Sequence, residues 1–482
     1  MLEPITITRD TLYMQHPASW WRDTWREALV SGNGHTGVSF YGGTKEQTLM
    51  ITDGDLWYGG MAEKLPDVHE ALKRMRDKMD KGAYQEASWE IVNELKRCGY
   101  QAELESPLPM ADLKIQITPQ STFHHYLRVL QMDTGEVSCQ WQEQEVWYRC
   151  DSFVSRADDI VLYRIRASKP VICANFRADI HKNPGMPVPE AYEEIEKKKQ
   201  LETEKDWLYY QSVNTDNRFF GMAAKVESDG RQKAEFGRIF VEDAGEIMIA
   251  IRSFIKDETG TGMQKAKDWI SGHARSYEEY LKRHIPLHQR LYKSAELEFD
   301  EYKESSNESL LHQAFVEEQP TELMEKMWKY GRYLFISGTA ESANPFPLYG
   351  IWSGSYNPLW PHNMANENTQ MIYWHSFVGN LAQYHRSLFR YYNSRMDTFR
   401  ENAQKLFGCR GIYMTAGTTP NVSAPNQVVP VIINWTGAAG WIAQHYSAYI
   451  AYRPEEEAYI RKEILPYMEE VAAFYEDFIR YK

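Results

Sequence analysis

Cysteine is scarce in this sequence, with five residues in a chain of 482. They are Cys98, Cys139, Cys150, Cys173 and Cys409. None of them forms a CxxC pair or a Cys/His spacing of the kind that binds zinc. We therefore expect reduced, mostly buried thiols and no metal site.

Long apolar runs are also lacking. No uninterrupted stretch approaches the roughly 20 residues that a membrane-spanning helix needs. The first residues, MLEPITITRDTLYM, do not show the charged region followed by an apolar region that marks a secretory signal. We therefore expect a cytoplasmic protein that has no membrane partner.

An excess of positive charge is absent as well. The 54 basic and 67 acidic residues give a formal net charge of −13, which disfavours nucleic acid or an anionic membrane as a partner. No GxGxxG or Walker pattern follows a predicted strand into a helix. A neutral substrate fits this composition better, and no cofactor is expected.

Aromatic residues are abundant at 13% of the chain, and five of them lie in the segment WSGSYNPLWPHNMANENTQMIYW together with Asn366 and Asn368. They are Trp352, Tyr356, Trp360, Tyr373 and Trp374. Sugars offer flat C–H faces that stack on rings, and hydroxyl groups that pair with amides. The i, i+2 spacing of the asparagines favours a loop that enters a helix, with both amides directed into one pocket. The alternative is that the asparagines cap a helix and the rings belong to the core.

Residues 1–255 are predicted to be mostly β. Short runs of alternating apolar residues recur between turn residues, as in an antiparallel sandwich. The runs are Gly37–Tyr41, Leu113–Ile117, Glu136–Trp141, Ile160–Ile165, Phe236–Phe240 and Ile247–Ile251. A helical interruption is predicted over Pro66–Cys98, with a break at Gly82. The charged stretch Glu190–Asp206 is interpreted as a solvated insertion or loop.

From about Met263 onward the apolar residues follow a helical period. Residues 256–320 are interpreted as a helical linker, and residues 321–482 as a further run of helices. The predicted helices are Thr321–Ser337, Glu367–Tyr392, Met396–Leu406, Asn434–Tyr452 and Glu455–Tyr481. Gly408 is expected to stop the Met396–Leu406 helix.

Several motifs occur in the order found in one known family. In the β half they are EALVSGNGHTGVSFYGGTKEQTLMITDGDLWYGG (Glu27–Gly60), SPLPMADLKIQI (Ser106–Ile117) and FHHYLRVLQMDTGEVSCQW (Phe123–Trp141). In the helical half they are YGRYLFIS (Tyr330–Ser337), LYGIWSGSYNPLW (Leu348–Trp360), NENTQMIYW (Asn366–Trp374) and WTGAAGWIAQHYSAYIAY (Trp435–Tyr452). The chain resembles glycoside hydrolase family 95, known for α-L-fucosidases. The resemblance implies a β super-sandwich, a helical linker and an (α/α)6 barrel, of which residues 321–482 would supply about the first half.

The resemblance also implies an activity, the inverting, exo-acting hydrolysis of terminal L-fucosyl or related L-galactosyl residues. Inversion needs a carboxylic acid that protonates the leaving oxygen and a base that activates water. The family's Asn-x-Asn pair matches Asn366 and Asn368, whose amides would hold that water. The residues expected to bind substrate around them are Trp360, His362, Met364, Glu367 and Trp374. The implied partner is a fucosylated oligosaccharide or glycoside, and the oligomeric state is left open.

Two residues depart from the family pattern. Met364 stands where the family's His-x-Asn-x-Asn has its histidine, and Glu367 occupies the usually apolar position between the amides. Because a pocket built around particular hydroxyls is sensitive to a lost partner, the choice between fucose and L-galactose stays open. The family's His-His-Asn-Thr segment is also replaced, by TAGT at Thr415–Thr418.

The carboxyl groups that the family uses lie in segments after the helix that matches Glu455–Tyr481. Neither segment occurs before Lys482, and residues 321–482 are few for the twelve helices of an (α/α)6 barrel. We therefore expect an incomplete and inactive part of a longer enzyme. The alternatives are a non-catalytic carbohydrate-binding protein or inactive homologue, and a phosphorolytic enzyme related by fold alone.

Other polar residues have structural as well as functional interpretations. Asp53 and Asp55 look like a carboxylate pair but fit a turn between strands. Glu367 could act as an acid or a base, although a helix N-terminus also favours a carboxylate there. Three histidines could contact sugar hydroxyls or occupy ordinary core or rim positions. They are His362, His375 and His445.

Overall fold

The computed structural model of the chain describes residues 2–18, 26–182 and 187–480. They form two compact units, each discontinuous in sequence. The first unit, rich in sheet, contains Met1–Tyr58, Pro107–Thr339 and Gly350–Pro358. The second, largely helical, contains Gly59–Ser106, Ala340–Tyr349 and Leu359–Lys482. A sheet-rich N-terminal part and a helical C-terminal part agree with the prediction.

The strands of the described residues lie mainly in the first unit, where they alternate with short turns. In chain order they begin with β1 (Thr11–Met14), β2 (Leu29–Gly32), β3 (Thr36–Phe40), β4 (Glu46–Asp53), β5 (Trp57–Ala62), β6 (Ala102–Pro107), β7 (Ala111–Ile117), β8 (Phe123–Gln131), β9 (Glu136–Glu143) and β10 (Val146–Val154). They continue with β11 (Val161–Ala167), β12 (Ile172–Asp179), β13 (Gln200–Glu204), β14 (Trp207–Val213), β15 (Phe219–Ser228), β16 (Arg231–Glu235), β17 (Arg238–Ala244), β18 (Glu246–Asp257), β19 (Asn363–Met364) and β20 (Gly417–Thr418).

The helices lie mainly in the second half of the chain. They begin with α1 (Glu70–Asp80), α2 (Tyr84–Ser88), α3 (Glu90–Arg97), α4 (Glu190–Lys197), α5 (Gly262–Gly272), α6 (Tyr277–Tyr292), α7 (Asn307–Val316) and α8 (Thr321–Ser337). They continue with α9 (Asn368–Val378), α10 (His385–Asn393), α11 (Met396–Phe407), α12 (Pro430–Ile433), α13 (Gly437–Tyr452), α14 (Glu457–Tyr459) and α15 (Leu465–Phe478). Among the described residues, none of the helices is both long enough and apolar enough to cross a membrane.

In the described part of the chain, the sheet-rich unit holds two antiparallel sheets of nine and seven strands. The strand orders are β1-β8-β9-β10-β11-β18-β15-β14-β13 and β16-β17-β12-β7-β4-β3-β2. The sheets face each other, with β10 against β2 and β3 and with β14 against β12. β12 alternates buried and half-buried residues along its whole length, as expected of a strand with one face on a core. This is the antiparallel sandwich that the sequence predicts.

Helices α5 and α6 cover the outer face of the nine-stranded sheet. α5 packs on β15 and β18, and both helices contribute to a buried apolar cluster there. In α6, His284 and His288 place their Nε2 atoms 2.8 and 2.9 Å from the carbonyl oxygens of Thr134 and Met132. These bonds tie the helical linker predicted after residue 255 to the β8–β9 turn.

The core of the helical unit is shared by α1, α3, α11 and α15. Leu72, Leu95, Leu406 and Phe474 are buried together in it. Helices α1 to α3 form the predicted helical interruption, and they lie between β5 and β6, which pair with each other. Gly82 adopts a φ of 77° where the break was predicted, a conformation that glycine tolerates best.

The predicted bounds of the later helices are right in part. α8 spans Thr321–Ser337 as predicted, and Gly408 follows α11 with a left-handed φ of 65°. The single helix predicted over Glu367–Tyr392 is wrong, because it is two helices, α9 and α10. Gly379 ends α9 and Asn380 adopts a left-handed φ of 56°, which glycine and asparagine favour at helix ends.

One strand predicted in the β half is also wrong. The strand predicted at Phe236–Phe240 begins later, at Arg238, because Phe236 and Gly237 both have positive φ and form a turn. Of the two interpretations of Glu190–Asp206, a solvated insertion or a loop, the loop is excluded because the stretch contains α4 and β13. The C-terminal helix prediction includes Tyr481, which lies outside the described residues.

Candidate functional site

Two short strands in the helical unit position the segment that carries the two asparagines. β19 and β20 pair antiparallel, so that Asn363–Met364 lies along Gly417–Thr418. The pairing continues where the Ala365 N–H donates a hydrogen bond of 2.6 Å to the carbonyl oxygen of Ala416. The structure therefore brings the TAGT segment beside the Asn-x-Asn segment, although the two are far apart in sequence.

Asn366 follows this pairing, and Asn368 is the first residue of α9. The loop that enters a helix is therefore as predicted. Both asparagines are half-buried, whereas Glu367 between them is exposed. The Oδ1 atom of Asn366 is buried and has no hydrogen-bond partner among the described residues. A buried amide oxygen in this state can accept a hydrogen bond from water or from a ligand hydroxyl.

Gln370, which the sequence analysis did not single out, supports this loop from the first turn of α9. Its side chain is fully buried, and its Nε2 donates a hydrogen bond of 2.7 Å to the carbonyl oxygen of Ala365. A signal was available, because Gln370 lies four residues after Asn366 and falls in the first turn of the helix that this loop enters. The peptide that leads into Asn366 is thus held by a side chain of the helix.

Asn426 is a second amide that the sequence did not reveal. Its Nδ2 donates to the Gly417 carbonyl at 2.9 Å and to Thr415 Oγ1 at 3.2 Å, which fixes the strand opposite β19. Four amides near this ladder have a buried carbonyl oxygen without a partner in the described part of the chain. They are Asn363, Asn366, Gln370 and Asn426. Because buried acceptors are normally satisfied, each of these oxygens can take a water or hydroxyl donor.

His362 precedes β19 and is almost completely buried. Burial lowers its pKa to about 4, so the imidazole is neutral near pH 7. The ring packs on Gly417, where an added Cβ would lie 2.8 Å from His362 Cδ2. β20 can approach this ring closely because Gly417 has no Cβ.

The five aromatic side chains of the segment divide into a buried set and an exposed set. Trp352, Tyr356 and Tyr373 are buried, whereas Trp360 is 55% exposed and Trp374 is 52% exposed. Trp352 lies in the sheet-rich unit and donates its Nε1–H to a carbonyl of β2 at 2.9 Å. Trp360 has a φ of 54°, in a region that residues other than glycine seldom adopt. Of these five rings, Trp360 and Trp374 are the ones that can offer a face to a sugar.

A buried histidine pair lies next to Trp374, whose ring centroid is 6.3 Å from that of His445. His385 Nε2 is 3.0 Å from His445 Nδ1, and His385 Nδ1 is 3.1 Å from Ser376 Oγ. The Ser376 hydroxyl donates to the Tyr373 carbonyl, so His385 donates to Ser376 and His445 donates to His385. Burial lowers the pKa of His445 to about 4 and that of His385 well below its usual value. Both rings are therefore neutral, and His445 Nε2 remains an acceptor.

Asp53 and Asp55 lie at the β4–β5 connection in the sheet-rich unit. The Asp53 carboxyl group accepts the backbone N–H of Asp55 at 2.9 Å, which is the turn interpretation. Burial, and then the charge of Asp55, raises the pKa of Asp53 to about 8. Within the described ranges, no group of three or more His, Cys, Asp or Glu side chains is arranged to hold a metal ion.

Two known domains match this sequence. Residues 276–482 match the glycosyl hydrolase family 95 catalytic domain. Residues 12–253 match the glycosyl hydrolase family 65 N-terminal domain. The asparagine segment, β19 and β20 all lie within the first of these matches.

Similar proteins include one from a plant and one from a fungus. Alpha-L-fucosidase 2 of Arabidopsis thaliana is 24% identical over 498 residues, which cover 94% of this chain and 57% of that protein. Probable alpha-fucosidase A of Aspergillus oryzae is 24% identical over 443 residues, which cover 84% of this chain and 58% of that protein. The chain therefore spans less than two thirds of the length of these relatives.

A solved structure assigned as a kojibiose phosphorylase from the human microbiome is similar in fold. Its TM-score is 0.61, and the similarity covers 99% of this chain and 61% of that chain. Sequence identity is 9%, so the likeness concerns the fold alone.

Proposed function

Because the chain belongs to glycoside hydrolase family 95, we propose that the protein is an inverting, exo-acting hydrolase of terminal L-fucosyl or related L-galactosyl residues. Its substrate would be a fucosylated oligosaccharide or glycoside, as the names of the two relatives suggest. The observation that carries the proposal is the buried Oδ1 of Asn366, which has no partner among the described residues and stands in the family's Asn-x-Asn motif.

In the proposed reaction Asn366 and Asn368 hold the attacking water. An amide oxygen accepts one hydrogen of the water and directs its lone pair toward the anomeric carbon. It cannot remove the proton, so a carboxylate must act as the base. A carboxylic acid on the other face protonates the glycosidic oxygen as the C–O bond breaks, and the new bond to water inverts the anomeric configuration.

The carboxylate closest in sequence to the two amides is Glu367. It is exposed at the residue before α9, and its side chain makes no capping hydrogen bond to that helix. Turnover by the purified 482-residue chain would point to Glu367 as the acid or the base.

The proposed sugar contacts come from three side chains of the same segment. Trp360 and Trp374 would provide stacking faces because their rings are half exposed. Met364 lies half-buried in β19, at the position of the family's histidine. A thioether is a weak acceptor and no donor, so a hydroxyl that would accept from the histidine loses that bond here. Met364 therefore supports a preference that differs from that of the family's fucosidases.

We also propose that the helices from α8 onward form the first part of an (α/α)6 barrel that follows a β super-sandwich. The fold likeness with a TM-score of 0.61 supports this arrangement, as does the match of residues 276–482 to a catalytic domain. The alternation of long helices with loops that carry the asparagines is consistent with it.

A second candidate function is saccharide binding without hydrolysis. The half-exposed rings of Trp360 and Trp374 favour it, because large apolar rings left open to solvent commonly mark a binding surface. Saturable binding of L-fucose that survives Asn366→Ala, together with no turnover, would select this candidate.

The decisive experiment assays the 482-residue chain with aryl α-L-fucoside and aryl α-L-galactoside as substrates. Asn366→Ala should lower kcat roughly 100-fold or more, as loss of a catalytic hydrogen-bonding group does. Gln404→Ala, which removes an exposed amide of α11, should change nothing. NMR of the first-formed sugar should show the inverted anomer. A retained anomer, or phosphate-dependent release of a sugar phosphate, would overturn the proposal.

If neither glycoside is turned over, calorimetric titration with L-fucose and L-galactose provides the second readout. Weaker sugar binding in Asn366→Ala than in Gln404→Ala would keep the asparagine segment as the site. Equal binding in both variants would remove Asn366 from it.

A further inference from the structure

A cavity of about 350 Å³ lies within the helical unit, and none of its lining residues belongs to the segment with Asn366 and Asn368. It is lined by the α10–α11 junction, by the loop of residues 420–424 and by Ala62. Its volume is at the lower end of the range of small-molecule sites. The residues that define its chemistry are Arg395, Thr398, Asn421 and Ser423.

Arg395 is held rigidly at the wall of this cavity. Its Nη1 donates to the Tyr391 carbonyl at 2.6 Å and to Ser394 Oγ at 3.0 Å, and its Nη2 donates to the Pro420 carbonyl. The guanidinium carbon lies 3.5 Å from the centre of the Tyr391 ring. Arg395 has no ion-pair partner in the described part of the chain, and its Nε–H and one Nη2–H remain available. The cavity therefore contains a fixed cation that forms no ion pair with any described residue.

Ser423 adds a neutral donor to the same wall. The residue is 8% exposed and lines the cavity, and its hydroxyl has no hydrogen-bond partner among the described residues. Thr398 lies in the first turn of α11, so its backbone N–H has no intrahelical acceptor. The N-terminal end of a helix also carries a partial positive charge. Arg395, Ser423 and the first turn of α11 thus all offer donors at this wall.

The acidic group that contacts the loop of residues 420–424 is already engaged. The carboxylate of Glu105, which is almost fully buried, accepts the Asn421 backbone N–H at 2.8 Å and the Asn421 Nδ2–H at 2.6 Å. These two bonds satisfy the carboxylate without Arg395. The negative charge of Glu105 lowers the affinity for a second anion, so we expect binding in the millimolar range.

We propose that this cavity binds a small oxyanion through Arg395 and Ser423. The ligand is a carboxylate, sulfate or phosphate group, either free or carried on an acidic saccharide. Arginine suits such groups because its planar fork matches two oxygens of the anion. Its existing contacts reduce the conformational entropy lost on binding. The proposal does not depend on the hydrolase activity.

The test is calorimetric titration of the 482-residue chain with sulfate, inorganic phosphate, glucuronic acid and glucose at constant ionic strength. Sulfate, phosphate and glucuronic acid should bind, and glucose should not. Arg395→Gln should weaken anion binding at least about tenfold, and Ser423→Ala should weaken it about three- to tenfold. Arg400→Gln removes a cation one turn further along α11, which pairs with Glu470, and should leave the affinity unchanged.

The two ligand sources are separated by comparing affinities. Glucuronic acid that binds more tightly than sulfate and phosphate supports an acidic saccharide, and the opposite order supports a free anion. If Arg395→Gln does not fold, the anion affinities of Arg395→Lys and Ser423→Ala test the proposal instead. Lysine keeps the positive charge of Arg395 but loses the planar guanidinium group that pairs with two oxygens. Absence of binding by every anion at millimolar concentration overturns the proposal. Equal affinities in the wild type, Ser423→Ala and the Arg395 variant that folds also overturn it.

Discussion

Gln370 donates its Nε2–H to the carbonyl oxygen of Ala365 over 2.7 Å, so the first turn of α9 holds the peptide that leads into Asn366. The N–H of Ala365 is bonded to the Ala416 carbonyl on the other side. The backbone just before the proposed water-holding amide is therefore fixed from β20 and from α9 at once. Such support is what a site needs if its amide is to be oriented before substrate arrives.

Gln370→Leu should loosen this arrangement. It removes the donor and leaves the buried Ala365 carbonyl unsatisfied, so the free energy of unfolding should fall by about 1–3 kcal/mol. Urea denaturation measures the loss, and titration with L-fucose should show weaker binding than in the wild type. Gln404→Leu, at an exposed amide of α11, is the control. It should change neither the free energy of unfolding nor the binding of L-fucose. Similar losses in both variants would contradict the role given to Gln370.

Gly37→Ala should destabilise the sheet-rich unit. A Cβ at this position of β3 would lie 2.8 Å from Trp352 Nε1 and 2.8 Å from Thr52 Oγ1, closer than these atoms can approach. Overpacking of this kind costs about 1–3 kcal/mol of unfolding free energy. Gly272→Ala is the matched control, because no atom lies within 4 Å of its added Cβ, and it should be neutral or stabilising. Equal urea midpoints for the two variants would rule out this packing account.

Some of these features were predictable because local signals agree with the fold. The helical period from Thr321 to Ser337 ends at Gly338, and α8 has those bounds. Gly408 combines the end of a period with a residue that tolerates positive φ, and it ends α11. The break between α9 and α10 was also readable at Gly379–Asn380, but the apolar pattern continues across it.

Other features depend on contacts that no local pattern reports. The ladder between β19 and β20 and the hydrogen bond from Asn426 to Gly417 join parts of the chain that are distant in sequence. Spacing alone also gave Trp352 and Trp374 the same interpretation, although one is buried and the other half exposed. Which ring is covered is decided by the elements that pack on it, and periodicity does not contain that information.

His284 should make the sheet-rich unit less stable as the pH falls below about 6.5. His284 accepts the Arg156 N–H at Nδ1, 3.0 Å away, and burial, then the charge of Arg156, lowers its pKa to about 3. Below its ordinary pKa of about 6.5, the unfolded chain binds a proton that the folded chain does not take up until about pH 3. The contribution of His284 to stability is therefore complete above about pH 6.5. Between about pH 6.5 and pH 3 it falls by up to about 1.4 kcal/mol per pH unit.

Urea unfolding between pH 7 and pH 4 checks this contribution. His284→Gln keeps an N–H donor for the Thr134 carbonyl but cannot be protonated, so it should lose less stability than the wild type as the pH falls from 7 to 4. His273→Gln, at an exposed histidine, should keep the slope of the wild type. If the unfolding free energy of His284→Gln changes with pH as it does in the wild type, His284 does not have this role.

Asp53 should act in the opposite direction. Burial, followed by the charge of Asp55, raises its pKa from 3.8 to about 8. Between these values the folded chain holds a proton that the unfolded chain releases, so this group favours folding at low pH and loses that contribution as the pH rises. Asp53→Asn keeps the acceptor for the Asp55 N–H and should gain stability over the wild type at pH 8 relative to pH 4.5. Asp216→Asn, elsewhere in the same unit, should show no such gain in urea unfolding.

The last prediction concerns the residue that separates this chain from the pattern of its family. Met364 lies half-buried in β19, opposite Gly417 and two residues before Asn366. Met364→His would restore a hydrogen-bond donor beside the proposed sugar. A hydroxyl of the bound sugar should then gain a partner, and the affinity for L-fucose should rise about tenfold over that of the wild type.

Titration with L-fucose measures this gain, and Met364→Leu provides the matched apolar control. Leucine preserves the volume and removes only the sulfur, so it should leave the affinity as in the wild type. A gain in Met364→His that Met364→Leu does not share can come only from the imidazole, because both variants lose the same thioether. If both variants change the affinity equally, the position affects packing rather than hydroxyl recognition, and the sugar hydroxyls must be recognised by other side chains.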